Sequence, residues 1–475
     1  MESTSRLFND DIAPSTERRW GVFSLTSVWF SLLHNIGVYT AAAGMLVIGL
    51  PAWQAVTAFM LGLLMTCVGA QMIGVVGQRH GVPFPVLARV SFGVYGANLP
   101  ALVRAAVALA WYGIQTYLAS RAVIVLAVSI APAWRNYDTG GAFGLSALGW
   151  WSFMLLWALQ LAVMAHGIET IRKFQNYAGA MVSLVMILLA VLIYAKAGGH
   201  INWQFGRKAM SAREHAALFS GTVAMFFSMF STLLLNFCDF SRFSKSTRDV
   251  ALGNILGLLV NGIVFSTLVV VVTVGGLQVY GQVMTEPTEI LAATGNRIVM
   301  AVGATLFIFA TVGVNVIANA VSSAYDFASI FPKHINFTRG ALVTAVLSIF
   351  VMPWKLFSSP VAITYFLGSI GALLGPIFGI MMVDYFFIRR GRIDTQALYS
   401  DRADGAYQYR KGWNSHALIA MLLASIASVS MTVAPGLSMC APYSWFAGAL
   451  VAGGVYVLSS AGRRELLLTT DEELG

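Results

Sequence analysis

Along the chain, long apolar runs alternate with short polar connections twelve times over. The runs fall near residues 23–50, 55–76, 99–130, 148–166, 177–195, 218–237, 252–277, 298–331, 341–352, 363–388, 416–434 and 445–458. About 20 apolar residues in a helix cross the hydrocarbon core of a bilayer, so the pattern predicts an all-α membrane protein with twelve transmembrane helices. Two runs are interrupted. The first carries His34, Asn35 and Gly37 at its middle, and the sixth carries Gly221, Ser228, Ser231 and Thr232. Polar groups at mid-depth must find partners inside the protein or line a wet cavity, because lipid offers no hydrogen bonds. A helix broken near His34 frees backbone groups to hold a ligand or ion; a kinked helix whose His and Asn bond a neighbouring span is the alternative. Runs one and six hold equivalent places if the first ten form two sets of five, the arrangement of an inverted repeat with two broken helices. Between the second and third runs, Gly81, Pro83 and Pro85 argue against a continuous helix and predict a short re-entrant or interfacial segment.

Composition removes the soluble alternatives. With 58% hydrophobic and 10% charged residues, there is too little polar surface to clothe soluble domains. The net charge of +9 is scattered in short clusters between apolar runs, which argues against a nucleic-acid partner and for membrane orientation. With both termini cytoplasmic, inner segments hold 20 Lys and Arg and outer loops hold 7. The positive-inside rule then predicts a multi-pass protein of the plasma or inner membrane with cytoplasmic termini. Its organisation reads as a cytoplasmic segment 1–22, a ten-helix transport core 23–388, a cytoplasmic loop 389–415, helices eleven and twelve at 416–460, and a cytoplasmic tail 461–475. Residues 1–22 lack the apolar core of a secretory signal, so the first span directs insertion. Cys67, Cys238 and Cys440 lie far apart in or beside apolar runs and read as packing residues. No hydrolase, metalloprotease, nucleotide-binding or dinucleotide-binding motif appears, and the histidines are too scattered for a metal cluster. A non-enzyme without metal or cofactor is expected.

The polar residues inside the runs then narrow the cargo. Trp111 and Gln115 stand four apart on one helix face, an indole plane beside an amide. Such a pair suits a flat heterocycle, stacked on the ring and bonded through its N–H and C=O groups; helix packing by the Trp and a cross-span bond by the Gln is the plainer reading. Asn315 and Asn319 repeat the spacing in the eighth run, and Phe230 offers a second aromatic face in the sixth. No Asp, Glu, Lys or Arg lies mid-span in runs one, six or eight, which favours a neutral ligand over a zwitterion. His34 is the titratable side chain at the first break, either a proton-coupling group or a neutral hydrogen-bonding one. Asp239, Asp326 and Asp384 sit at span ends close in sequence to Arg242, Lys333 and Arg389, as charge pairs or as a solvated rim.

Several stretches in order resemble the nucleobase cation symporter-1 family. They are Arg19-Trp20, His34-Asn35-Ile36, Ala88-Arg89-Val90-Ser91-Phe92-Gly93, Trp111-Tyr112-Gly113-Ile114-Gln115-Thr116, Asn236-x-x-Asp239-x-Ser241-Arg242, Asn315 to Tyr325-Asp326, Pro353-Trp354-Lys355, and Gly371 to Tyr385. The resemblance covers nearly the whole chain. It implies a five-plus-five inverted repeat of the leucine-transporter type with broken helices 1 and 6 and two extra helices, importing nucleobases, hydantoins or allantoin by alternating access. It places substrate contacts on Asn35, Trp111, Gln115, Met229, Phe230, Thr232 and Asn319, with Phe230 standing where hydantoin members carry a second tryptophan. The sodium site of sodium-coupled members falls on Ser31, His34, Ala310, Gly313 and Val314. The last two occupy its hydroxyl positions without a side-chain oxygen. Sodium, a hard cation, is poorly served there, so a proton is the expected coupling ion. The expected substrate is uracil or a related pyrimidine, with allantoin or hydantoin as the alternative. A passive channel or facilitator is the alternative class.

Overall fold

The computed structural model describes residues 5–34, 36–46, 49–206, 208–358 and 360–460. Among them every regular element is helical. Eight helices are long and apolar enough to cross a membrane, and ten spans result when each of two bent helix pairs counts as one. Two shorter apolar helices, Ser183–Lys196 and Phe337–Phe350, hold the fifth and ninth places. Twelve is therefore reached only by counting those two as spans. The first of them is the end of a longer helix, Gly167–Lys196.

Both bent pairs fall where the apolar runs are interrupted. Val22–Leu33 and Gly37–Met45 meet at 59°, and Ala212–Met229 and Ser231–Ser241 at 42°. The backbone leaves the helical region at His34 (φ −82, ψ 46) and at Phe230 (φ −95, ψ 3). Each break ends one hydrogen-bonded ladder and starts another, so main-chain groups are released halfway along the span.

The seventh span, Thr247–Tyr280, clamps both halves of the first. Trp29 Nε1 donates to Asn254 Oδ1 (2.8 Å), His34 Nε2 donates to Asn261 Oδ1 (2.9 Å), and the Tyr39 and Thr273 hydroxyls lie 2.9 Å apart. The helices approach this closely because a glycine faces the tryptophan: a Cβ on Gly257 would sit 2.5 Å from Trp29 Cβ. The second span, Ala52–His80, lies along the sixth in the same way, with Gly69 against Leu234 and Gly77 against Cys238. Spans one, two, six and seven thus form one bundle. The third (Asn98–Ile130), fourth (Ala147–Ala165), eighth (Arg297–Ile330) and ninth spans form a second group, in which the third packs on the eighth. The tenth span (Ser369–Ile388) packs with the last two, Ser415–Val433 and Pro435–Ser459, through Ser428 Oγ donating to Ala372 O (2.8 Å).

At one end of the molecule the N-terminal segment straps the two groups together. Asp11 accepts from Phe337 N (2.7 Å) and, through its main-chain oxygen, from Arg242 (2.9 Å), while Arg18 donates to Gln78 O and Arg242 O. The expected re-entrant stretch becomes two short buried helices, Phe84–Leu87 and Arg89–Phe92. Arg89 donates to Leu7 O, Leu398 O and Ser329 Oγ. Burial pushes its pKa down to about 10, which leaves it a cation at neutral pH.

The acidic residues at the span ends divide. Asp384 pairs with Arg389 at 3.1 Å and also accepts from Ser91 Oγ and the Tyr456 hydroxyl. Asp239 accepts from Phe84 N at 2.7 Å. Asp326 is buried, with neither carboxylate oxygen hydrogen-bonded among the described residues, whereas Lys333 lies exposed beyond the helix end. An Asp326–Lys333 pair is therefore not formed among the described residues, because the helix turns that carboxylate inward.

Candidate functional site

A cavity lies where the two helix breaks meet the third and eighth spans. Trp111 and Gln115 reach it from the third span, one turn apart on the same face. The break in the sixth contributes Met229, Phe230, Thr232 and Leu233; the eighth contributes Val314, Ala318 and Asn319; the first contributes Leu32, Gly37 and Val38.

Asn319 sits in a widened π-helical turn, Val316–Val321. Such turns carry an extra residue and loosen the regular ladder, and they gather at functional sites. Here Ser323 Oγ donates to the Asn319 main-chain oxygen (2.7 Å) and receives in turn the Thr344 hydroxyl of the ninth span (2.8 Å). The side chain of Asn319 donates through Nδ2 to Asn315 Oδ1 at 2.8 Å.

Among the described residues, none of the lining side chains is ionisable. A charged ligand would leave its solvation in water and find no counter-ion here, which disfavours it strongly. A flat neutral ring instead finds aromatic faces at Trp111 and Phe230, amides at Gln115 and Asn319, and a hydroxyl at Thr232. The wall can both donate and accept, so it matches a ring carrying alternate N–H and C=O groups.

Six of the seven expected substrate residues, namely Trp111, Gln115, Met229, Phe230, Thr232 and Asn319, therefore line one cavity. Asn35 lies outside the described residues. The expected coupling-ion positions are more dispersed. Val314 lines the cavity, and Ser31 and Gly313 are buried on helices that touch. Ser31 Oγ has no hydrogen-bond partner among the described residues. Ala310 stands three residues before Gly313 in the same helix. The His34 imidazole turns away from the cavity toward Asn261, with the Phe265 ring edge-on at 5.1 Å. Sequence reasoning passed over the apolar wall at Leu32, Val38, Leu233 and Ala318. Leu233 and Ala318 carry a usable signal, since each is within one turn of a flagged residue.

A cavity without ionisable lining among the described residues, framed by two broken helices midway through the spans, is the arrangement of a secondary transporter. A family model described as permease for cytosine/purines, uracil, thiamine, allantoin matches residues 12–448. The chain is 37% identical to the allantoin permease of Bacillus subtilis over 96% of this chain and 94% of that one. It is 32% identical to the purine-uracil permease NCS1 of Arabidopsis thaliana over 98% of this chain and 80% of that one. Its fold matches Mhp1, a nucleobase-cation-symport-1 family transporter solved in a closed conformation with bromovinylhydantoin bound, at a TM-score of 0.80 and 23% identity, covering 97% and 96% of the two chains. The chain belongs to the nucleobase cation symporter-1 family and is a secondary transporter of nucleobase-related substrates, not an enzyme.

Proposed function

We propose that the protein imports uracil or a related pyrimidine nucleobase by alternating access, with a proton as the coupling ion. It works in the plasma or inner membrane with both termini in the cytoplasm, the orientation that the clustering of Lys and Arg favours. The observation that carries the reading is the wall of the cavity, where amides and aromatic rings converge and no side chain among the described residues can ionise. The absence of a side-chain oxygen at Gly313 and Val314 argues against sodium. His34 is assigned the coupling proton: its Nε2 is committed to Asn261, and its buried Nδ1 has no partner among the described residues.

Allantoin is a second reading, favoured by the 37% identity to an allantoin permease. Uptake of radiolabelled uracil, with allantoin, hydantoin, cytosine and thymine as competitors at two pH values with and without sodium, decides among these. Expected are accumulation above the external concentration, a higher rate at lower external pH, loss with a protonophore and indifference to sodium. Stronger competition by allantoin than by unlabelled uracil moves the substrate to the second reading. Equilibration without accumulation makes the protein a facilitator. His34→Gln, which retains a donor toward Asn261, is expected to bind substrate and lose the pH dependence; retained pH dependence removes His34 from the coupling.

A further inference from the structure

Gln160 and Thr116 do not line the cavity, yet they decide which atom Asn319 turns toward it. The chain of contacts starts from a group that cannot be reversed, the main-chain carbonyl of Tyr112, which only accepts. Asn315 Nδ2 lies 2.9 Å from that oxygen, 3.0 Å from Thr116 Oγ1 and 2.7 Å from Gln160 Oε1. The Thr116 hydroxyl spends its proton on Tyr112 O (2.7 Å), so toward its other neighbours it accepts, including from Gln160 Nε2 at 3.2 Å. Every contact therefore holds the Asn315 NH2 on this side and its Oδ1 on the other, where it accepts from Asn319 Nδ2. The same elimination applies once more. With the Asn319 NH2 turned to Asn315, its carbonyl oxygen is the atom left for a ligand. Turning the Asn319 amide over would oppose two carbonyl oxygens with no proton between them, in a buried place where an unmade bond costs most.

We infer that Gln160, Thr116 and Asn315 are positioning residues that fix Asn319 as a hydrogen-bond acceptor, so that the cavity selects heterocycles with a ring N–H at that place. The fourth span thereby helps to set specificity without touching the substrate. The inference rests on the transport reading only in taking the ligand of this cavity to be such a heterocycle.

The test compares wild type with Asn315→Leu, Gln160→Leu and Gln160→Glu, the last being a neutral carboxyl that still accepts from Asn315 and donates to Thr116. Initial uptake of radiolabelled uracil, allantoin and hydantoin is measured in cells, with the ring N-methyl derivatives of each as competitors. In wild type, methylation at the nitrogen facing Asn319 is expected to weaken competition by about tenfold or more, since it leaves a buried acceptor bare. Asn315→Leu is expected to raise KM for the parent compound by about tenfold and Gln160→Leu by about threefold, with the maximal rate per transporter within about twofold. Both narrow the gap between parent and N-methyl derivative, and Gln160→Glu restores it. A gap unchanged in both leucine variants, or a KM that rises equally for parent and derivative, overturns the inference.

Thermal unfolding of the purified full chain supplies a readout independent of uptake. The Asn315→Leu/Gln160→Leu double variant is expected to lose less Tm than the two single losses together, because the residues act as one unit. Additive losses overturn the relay. If wild type accumulates none of the three heterocycles, the transport reading fails while this cycle still judges the relay.

Discussion

Replacing Trp111 by Ala removes the larger aromatic face of the cavity and leaves Phe230 in place. Stacking of a nucleobase on an aromatic side chain is worth about 1–3 kcal/mol by alanine substitution, which corresponds to a rise in KM of about 5- to 150-fold. Trp111 is half-buried and opens on the cavity, so the truncation deletes ligand contact more than core packing. The assay is initial-rate uptake of labelled uracil and of labelled allantoin, normalised to transporter abundance in the membrane. Trp111→Phe keeps a ring at the same place and is expected to stay within about fivefold of wild type, since most of the stacked area survives. Trp354 provides the contrast. Its indole N–H donates to Phe143 O (2.9 Å) and its ring packs edge-on against Trp150 (4.9 Å) and Phe153, away from the cavity. Trp354→Ala removes buried core, costs about 3–5 kcal/mol of stability and lowers abundance without raising KM. The reasoning is refuted by a wild-type KM in Trp111→Ala at normal abundance, or by an equal rise in KM from Trp354→Ala.

Two further outcomes concern the strapped end of the molecule. Arg389→Leu leaves Asp384 buried without its cation and is expected to cost about 3–5 kcal/mol, seen as a lower unfolding temperature in detergent; adding Asp384→Leu should recover part of the loss. A double variant whose loss equals the sum of the two single losses would show that the pair is not coupled. Arg89→Leu removes the bonds to Leu7 O, Leu398 O and Ser329 Oγ and frees the N-terminal segment, so trypsin should cut after Arg18 and Arg19 at least about tenfold faster. Equal cleavage rates in wild type and variant would place the tether elsewhere.

Hydropathy by itself determined the membrane class, because about 20 apolar residues without charge have no other stable home. Spacing along a helix also placed Trp111 with Gln115 and Asn315 with Asn319, since residues four apart share a face whatever surrounds them. The interruptions at His34 and Phe230 were visible as polar and small residues where lipid demands apolar ones. Their partners were not. His34 meets Asn261, 227 residues away in the chain, and Asn315 meets Gln160 at a separation of 155. Asp326 is buried while the nearby Lys333 lies exposed. Such choices depend on how each helix is rotated about its axis and how closely its neighbour approaches. Close contacts at positions such as Gly69 and Gly257 set both. Periodicity marks the face a residue occupies, but only the assembled bundle decides what that face meets.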